Sequence, residues 1–475
     1  MRAETTFAAL LALAALTGCV SMKPGMGFDD VQKTVTDRTG ARTHWNNGSA
    51  EDAEVATAVA SMLDKELTAD EAVAIALLNN HELQAIYEEL NLAQADIVQA
   101  GLLRNPVFSG EVRFATSGGG EGIVLDVAQD FVSLLSMPLR KGRAEAAFEA
   151  AKVRVTAAVL DAAFEVRTAF YDYQAAQQMR EMRATVLEAT AASYELAKRL
   201  RAAGNFREID LLNERTLHEQ SKVDLAAAES ELTLRRERVN ALLGLWGSQT
   251  LWRAADRLPA LPDDETALDG LENKAIAASL DLALLRREAE IAARSAGIAN
   301  PFAWLEGSEV GAAAEREVEG GWSVGPSLAL PIPLFDQGQA TIGAAHAHYK
   351  QAAERTIARA IEIRSRVRAA HAGVLSAHER ARYYERIILP LNQRLVDETQ
   401  LQYNAMQVSA FQLLEAKRAQ ISAGAAYVAS IHDYWKARAA LDQILAGRMT
   451  PFEKSSITTD SMTHPSATSS AGDHR

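Results

Sequence analysis

The chain has 475 residues, 48% of them hydrophobic but only 6% aromatic, and a formal net charge of −13. Its Ala-rich, charge-rich character suits close-packed long helices better than a bulky Leu/Phe interior. The acidic balance argues against nucleic acid as a partner, and the single cysteine, Cys19, excludes a disulfide framework.

Residues 1–18 read as a signal peptide. Arg2 precedes an apolar run from Phe7 to Leu16, too short to span a membrane, and the run ends in Leu16-Thr17-Gly18-Cys19. That ending resembles a bacterial lipobox, which implies cleavage before Cys19 and a covalent lipid, palmitate among its chains, on that residue. The other reading is an ordinary signal with a chance cysteine, and Glu4 is untypical of a charged n-region. Val20 in place of Asp after the cysteine favours the outer membrane, by resemblance to enteric sorting rules. No cofactor is expected beyond this lipid. No later apolar run is long enough for a transmembrane helix. Residues 19–66 are mixed and polar and read as an N-terminal anchor or extended segment, with Trp45-Asn46-Asn47-Gly48 as a loop.

The first of two units spans 67–258. Thr68 and Glu71 have the spacing of a capping box, and helical periodicity then runs to Leu103, where Asn105-Pro106 stops it. Period-two sequence follows. Phe108, Val112 and Phe114 share one face and Ser109, Glu111 and Arg113 the other; after the Gly-rich stretch at 117–120, Ile123, Leu125, Val127 and Phe131 oppose Asp126, Ala128 and Asp130. A long helix is predicted from about Arg143 to Ala202, with Arg140-Lys141-Gly142 as the turn from sheet to helix. Val159, Ala163, Val166, Phe170 and Tyr173 form a 4-3 seam along it. A return helix is predicted over Phe206–Leu245.

The second unit, 259–450, repeats the order. Asn300-Pro301 answers Asn105-Pro106. A strand is predicted from Phe302 to Ala312, alternating poorly because Glu306 falls on the face of Trp304. A second strand puts Trp322, Val324, Leu328, Leu330 and Ile332 against Ser323, Gly325, Ser327 and Ala329. The long helix carries a seam at Ala360, Ile363, Val367, Ala370, Val374 and Ala377, and Pro390 is predicted to kink it. The return helix covers Val408–Leu445. Residues 451–475 are Ser/Thr-rich and read as disordered.

Strands with one apolar and one charged face suit a transmembrane barrel wall. Four strands cannot close alone, and an open sheet in lipid leaves its edges unpaired, so protomers must share a barrel. In each unit the return helix and the opening helix together match the long helix in predicted length. The fold class is therefore mainly α with a small β part: duplicated long helical hairpins forming an α-barrel tunnel, plus four strands per protomer for a shared transmembrane β-barrel.

Residues 67–447 resemble the TolC-type outer membrane efflux factor family. The similarity rests on Leu67-Thr68-Ala69-Asp70-Glu71-Ala72, on Ala93-Gln94-Ala95-Asp96 through Gly101-Leu102-Leu103-Arg104-Asn105-Pro106, and on Leu328 to Pro333 leading to Leu334-Phe335-Asp336-Gln337-Gly338. The resemblance implies a homotrimer in outer membrane lipid, with a periplasmic tunnel docked to a periplasmic adaptor (membrane fusion protein) and an inner-membrane pump. It would be the exit duct of a tripartite efflux or secretion system for heavy metals or drugs. By the same resemblance, two hairpin tips touch the adaptor. Gly204, Asn205, Phe206, Ile209 and Leu211 belong to the first, and Met406, Gln407, Val408, Phe411 and Leu413 to the second. Met406 stands where the family usually has glycine. Asp397 sits where an acidic ring constricts the entrance in relatives; as a residue alone it reads equally as an exposed helix face.

No enzyme is expected. His346 and His348 diverge on a helix, His371 and His378 lack further ligands, and no GxSxG, HExxH or P-loop is present. The competing non-enzymatic reading is a lipid-anchored periplasmic coiled-coil scaffold or adaptor without a pore, for which paired lipid-facing strands have no use.

Overall fold

The computed structural model describes residues 22–449 except 115–120, 266, 303–307, 318–319, 333, 336 and 338. Cys19, Trp304, Glu306 and the 451–475 tail lie outside the described residues.

Residues 22–66 are not an extended segment. They fold as α1 (Phe28–Thr39) and α2 (Ala50–Leu63). Left-handed glycines bound α1, Gly27 at φ 83° and Gly40 at φ 74°, and Val31 and Val35 bury one face at i, i+4 spacing. Trp45, in the expected loop, is buried with its ring 5.9 Å from that of Tyr87, and Phe28 closes the cluster at 5.0 Å from Tyr87.

The first unit opens with β1 (Glu66–Leu67), then α3 (Ala69–Asn79) and α4 (His81–Gly101). The capping box is formed: Glu71 N–H donates to Thr68 Oγ1 at 3.3 Å, and Thr68 N–H to the Glu71 carboxylate at 2.8 Å. The expected single helix breaks at Asn80, whose ψ is 118° and whose side chain accepts from Glu82 N–H and Leu83 N–H. After strands β2 (Val107–Phe114) and β3 (Glu121–Asp130), helix α5 runs from Phe131 to Ala202. It begins a full twelve residues before the expected Arg143, because Asp130 caps it by accepting from Ser133 N–H at 3.0 Å. Arg140-Lys141-Gly142 is thus helix interior, not the sheet-to-helix turn. Helix α6 (Glu208–Leu243) returns, and β4 (Arg253–Ala254) pairs in parallel with β1.

The second unit comprises α7 (Leu271–Ala278), α8 (Leu280–Phe302), β5 (Glu309–Arg316), β6 (Trp322–Ala329), α9 (Gln339–Tyr383), a π-turn at Tyr384–Ile388, α10 (Leu389–Asn404) and α11 (Ala410–Leu445). The strand expected over Phe302–Ala312 lies later, at Glu309–Arg316, since α8 continues through Phe302. Pro390 acts as expected, but through the helix type. It has no N–H to return to the carbonyl four residues back, and just before it Leu389 N–H reaches Tyr384 O, one residue further than an α-helix allows.

Lengths follow from residue counts. Helix α5 has 72 residues, about 108 Å; α6 has 36, about 54 Å; α3 and α4 have 11 and 21, together about 48 Å. In the second unit the run α9 to α10 has 45, 5 and 16 residues, about 99 Å, beside α11 with 36 and α7–α8 with 8 and 23. Each unit is one continuous helix flanked by a two-piece stave.

The joints of the two-piece staves share a design. Asn79 Nδ2 donates to the Leu243 and Gly244 carbonyls at 2.9 and 3.0 Å, and Asn80 Nδ2 to Leu242 O at 2.7 Å. Gly244, at φ 68°, is so close that a Cβ there would sit 2.8 Å from Asn79 O. In the second unit Gly447, at φ 93°, accepts from Leu280 N–H at 2.9 Å and would put a Cβ 2.0 Å from Ala278 O. Both return helices therefore end on a left-handed glycine docked at the break of an opening helix.

The predicted seams are buried. Val159, Ala163, Val166, Phe170 and Tyr173 join the largest core, where Trp252 packs on Phe170 and Tyr173 and gives its indole N–H to Asn240 at 2.7 Å. Ile363, Val367, Val374 and Ala377 line smaller cores of the second unit, with Ala360 and Ala370 at their margins.

Candidate functional site: a two-faced sheet and a helical tip

At one end of the staves the four strands form one antiparallel sheet, ordered β2-β3-β5-β6, so β3 and β5 join the two units. The registers Phe108↔Val127, Val127↔Ala312 and Ala312↔Pro326 align one face across all four strands. That face holds Phe108, Val112, Phe114, Ile123, Leu125, Val127, Val310, Ala312, Ala314, Val324 and Leu328, with Trp322 at its margin. Val324 is 76% exposed and Phe114 72%. Polar side chains enter this face only toward its ends, Glu121 and Arg316 at one and Gln129 at the other, and an exposed apolar surface of this extent needs a nonaqueous neighbour. The opposite face is polar. Arg113 pairs with Glu111 at 3.0 Å and reaches Glu315 at 3.6 Å, and Ser327 Oγ donates to Asp126 at 2.9 Å. The alternation expected for a barrel wall is present in both units, and the later start of β5 removes the poor match around Glu306.

At the far end the two hairpins turn in the same way. Gly204 N–H bonds Arg201 O at 2.9 Å and Asn205 N–H bonds Leu200 O at 3.0 Å; Met406 N–H bonds Tyr403 O at 2.9 Å and Gln407 N–H bonds Gln402 O at 2.9 Å. Both are Schellman closures, which need a left-handed residue. Gly204 has φ 80° and Met406 φ 60°, the one positive-φ non-glycine among the described residues. The second turn is reinforced by a capping box between Ser409 and Gln412; Arg207, at the corresponding place in the first, makes no side-chain cap.

Of the predicted tip residues, Gly204, Asn205, Ile209, Met406, Gln407 and Phe411 are exposed, and Phe206, Leu211 and Val408 are half-buried. Leu413 departs from expectation. It is only 6% exposed and packs inside the hairpin beside Leu414, so it is no surface contact of the tip. Leu212, exposed next to Ile209, extends the apolar tip surface instead. Asp397 is exposed and accepts from Gln393 Nε2 at 2.9 Å.

Sequence reasoning missed the acidic residues under the tip. Asp210 is buried and held by Arg207 at 2.8 Å. One turn on, Glu214 is 7% exposed, and its Oε2 has no hydrogen-bond partner among the described residues. Burial together with these two carboxylates pushes the Tyr403 hydroxyl above its ordinary pKa. The i, i+4 spacing of Asp210 and Glu214 just past a turn was the available signal.

Between the ends, polar staples tie the units together. Asp172 of α5 receives His432 Nε2 at 2.6 Å and lies 3.3 Å from Arg235 and 3.4 Å from Lys436. Burial pushes the Asp172 carboxyl up, but that hydrogen bond and the surrounding cations outweigh it and leave the pKa below the usual carboxylate value. Arg448 bridges Asp161 and Asp281, each at 2.5 Å. His378 is committed to the Pro262 carbonyl at 2.7 Å. No helix among the described residues is long and apolar enough to cross a membrane.

A two-faced sheet on a stave-built helical body has counterparts among known proteins. The chain is 24% identical over 388 residues to the cobalt-zinc-cadmium resistance protein CzcC of Cupriavidus metallidurans, covering 80% of this chain and 90% of that one. The solved structure of CusC, described as undergoing folding and transmembrane channel formation, shares the fold with a TM-score of 0.67 at 16% identity, covering 80% of this chain and 92% of CusC. The outer membrane protein VceC of Vibrio cholerae matches with a TM-score of 0.64 at 16% identity, over 80% of this chain and 97% of VceC. The outer membrane efflux protein family profile matches residues 72–245 and 305–447, one stretch in each unit. The chain belongs to the outer membrane efflux protein family: it is an outer membrane exit channel with a periplasmic helical tunnel.

Proposed function

We propose that three copies of this chain close a twelve-stranded barrel and one tunnel, and that the duct discharges divalent metal cations delivered by a periplasmic adaptor and an inner-membrane pump. The carrying observation is the sheet: four strands with one continuous apolar face and free edges at β2 and β6. In lipid such edges must pair, β6 of one copy with β2 of the next. The metal reading is supported by the relation to CzcC along nearly all of that protein. Transport then needs no chemistry from this chain, only a polar lumen and a tip that admits cargo. The tip residues Gly204, Asn205, Phe206, Ile209, Leu211, Met406, Gln407, Val408 and Phe411 are assigned to adaptor contact, and Asp397 to the entrance, where three carboxylates on a threefold axis would attract cations.

Cys19 is assigned as the lipid attachment site. That assignment rests on the lipobox-like run Leu16-Thr17-Gly18-Cys19 at the end of the apolar stretch.

Deleting the gene and testing tolerance to cobalt, zinc, cadmium, copper, silver, dyes and antibiotics separates the cargo classes. Sensitisation to divalent metals alone is expected. Unchanged tolerance to all of them would overturn the efflux reading, and sensitisation to dyes and antibiotics alone would overturn the metal assignment. Protein released from membranes by alkaline wash would count against the barrel.

A further inference from the structure

Between the two hairpins, above the tip, lies a cleft of about 590 Å³, within the ordinary range for small-molecule sites. One wall is α5 from Gln178 to Ser193, a stretch of about 22 Å, with Leu217 of α6. The other is Val396 of α10 and the Lys417–Val428 stretch of α11. The first unit thus supplies one side and the second unit the other. The larger share of the lining surface is apolar, from Met182, Val186, Ala189, Val396, Ile421 and Val428, with Thr185, Thr190 and Gln420 set among them. Gly424 keeps the cleft open, since a Cβ there would already approach Met182 Sδ to 3.3 Å.

Charge gives the cleft polarity. Half-buried Lys417 donates to the Ser193 hydroxyl at 3.1 Å, and no carboxylate among the described residues lies within ion-pair distance of it. Arg257, the other cation in the lining, lies at the opposite end, beside Tyr427 and on the side of Gln178 and Glu181. The acidic member of the lining, Glu181, stands about 18 Å along α5 from Ser193. A long apolar slot with an uncompensated ammonium toward one end matches a single-chain amphiphile with an anionic head.

We propose that this cleft binds an elongated anionic amphiphile of the fatty-acid class, its head on Lys417 and Ser193 and its chain lying between α5 and α11. The site does not depend on what the duct carries. A molecule touching both hairpins stabilises their present arrangement and opposes any movement of one against the other.

The test uses the full-length protein in native outer membranes and a palmitate carrying a chain-terminal diazirine. Light-driven labelling should map to 178–193 and 417–428. Lys417→Glu should lower it about tenfold at subsaturating probe, the effect of losing one charge-assisted contact. Lys417→Arg should retain it, and Lys198→Glu, a change at an exposed lysine away from the cleft, should leave it unchanged. Gly424→Leu, which fills the slot without touching charge, should abolish it. Thermal midpoints of each variant separate loss of the site from loss of the fold; if Lys417→Glu unfolds, Gly424→Leu and a neutral diazirine hexadecanol carry the comparison. Labelling confined to the sheet residues 107–130 and 309–329, or equal labelling by the alcohol and by Gly424→Leu, would overturn the proposal.

Discussion

Gly204 and Met406 occupy the same position in the two tips and hold the same left-handed backbone, at φ 80° and 60°. Glycine takes that conformation freely, whereas a side chain costs about 1–2 kcal/mol there. Met406 is 94% exposed, so no packing offsets the cost. The Ser409–Gln412 capping box holds the strained turn from the next helix. Met406→Gly should therefore tighten the second tip by about 0.5–1 kcal/mol, less than the full strain because glycine also frees the unfolded chain. Gly204→Ala should loosen the first tip by a similar amount. Hydrogen exchange of the amides at 200–210 and 402–412 reads both; equal protection in wild type and Met406→Gly would show that the turn stores no strain.

Two half-buried aspartates between the units respond to pH with opposite signs. For Asp172 the folded pKa lies below the unfolded one, so its stabilisation is present above the unfolded value of about 4 and is lost as pH falls through the folded value. Asp172→Asn should cost about 1–3 kcal/mol at pH 7, with the gap to wild type closing in acid. For Asp442, burial raises the pKa despite its contact with Arg438 at 3.3 Å. Its charge opposes folding above the folded pKa, and stability is regained as pH falls through that value. Asp442→Asn should be neutral or stabilising at pH 7 and converge with wild type in acid. Thermal midpoints from pH 3 to 8 decide; a loss of stability in Asp442→Asn matching that of Asp172→Asn would refute the distinction.

The sheet makes a sharper demand at Gly311, in β5 where the two units join. A Cβ there would lie 2.2 Å from Val127 O and 2.7 Å from Ser327 Oγ. The first is backbone of the neighbouring strand, so it cannot move without opening the β3–β5 ladder. Gly325, on the same polar face in β6, has nothing within 4 Å of the corresponding position. Gly311→Ala should destabilise the sheet by about 1–3 kcal/mol and reduce the membrane-inserted fraction, while Gly325→Ala should insert normally. Resistance to alkaline extraction measures both.

The parts of this fold readable in the sequence are those with strict periodicity. Val159 to Tyr173 and Ile363 to Ala377 announce buried seams by 4-3 spacing, and Phe108, Val112 and Phe114 announce a face by alternation, because each pattern is imposed by local geometry. The misplaced features depend on partners far along the chain. Val31 and Val35 give too short a stripe to mark α1 until Tyr87 and Trp45 are beside it. Asn80 breaks a helix whose periodicity runs straight through, since its side chain caps locally and docks on Leu242. At the tip, the turn residues were legible as glycine and a departure from glycine. The inward turn of Leu413 and the buried pair Asp210 and Glu214 were not, because hairpin packing decides them.

Pro390 offers the test that links local backbone to the tip. The π-turn before it takes up one extra residue, so every residue of α10 is rotated by about 100° relative to an uninterrupted α-helix. That phase is what sets Val396 in the cleft and Tyr403 beside Asp210 and Glu214. Pro390→Ala restores an N–H that can reach the Arg386 carbonyl, and removes the steric reason for the longer hydrogen bond. The helix should then relax toward continuous α geometry, and Tyr403 should turn away from the two carboxylates. Deprotonation of Tyr403 should shift down toward that of an ordinary tyrosine, readable by ultraviolet titration of wild type, Pro390→Ala and each combined with Tyr403→Phe. Efflux should fall even though residue 390 touches no cargo. A Pro390→Ala variant with an unchanged Tyr403 titration and full metal tolerance would show that neighbouring helices, not the proline, impose the π-turn.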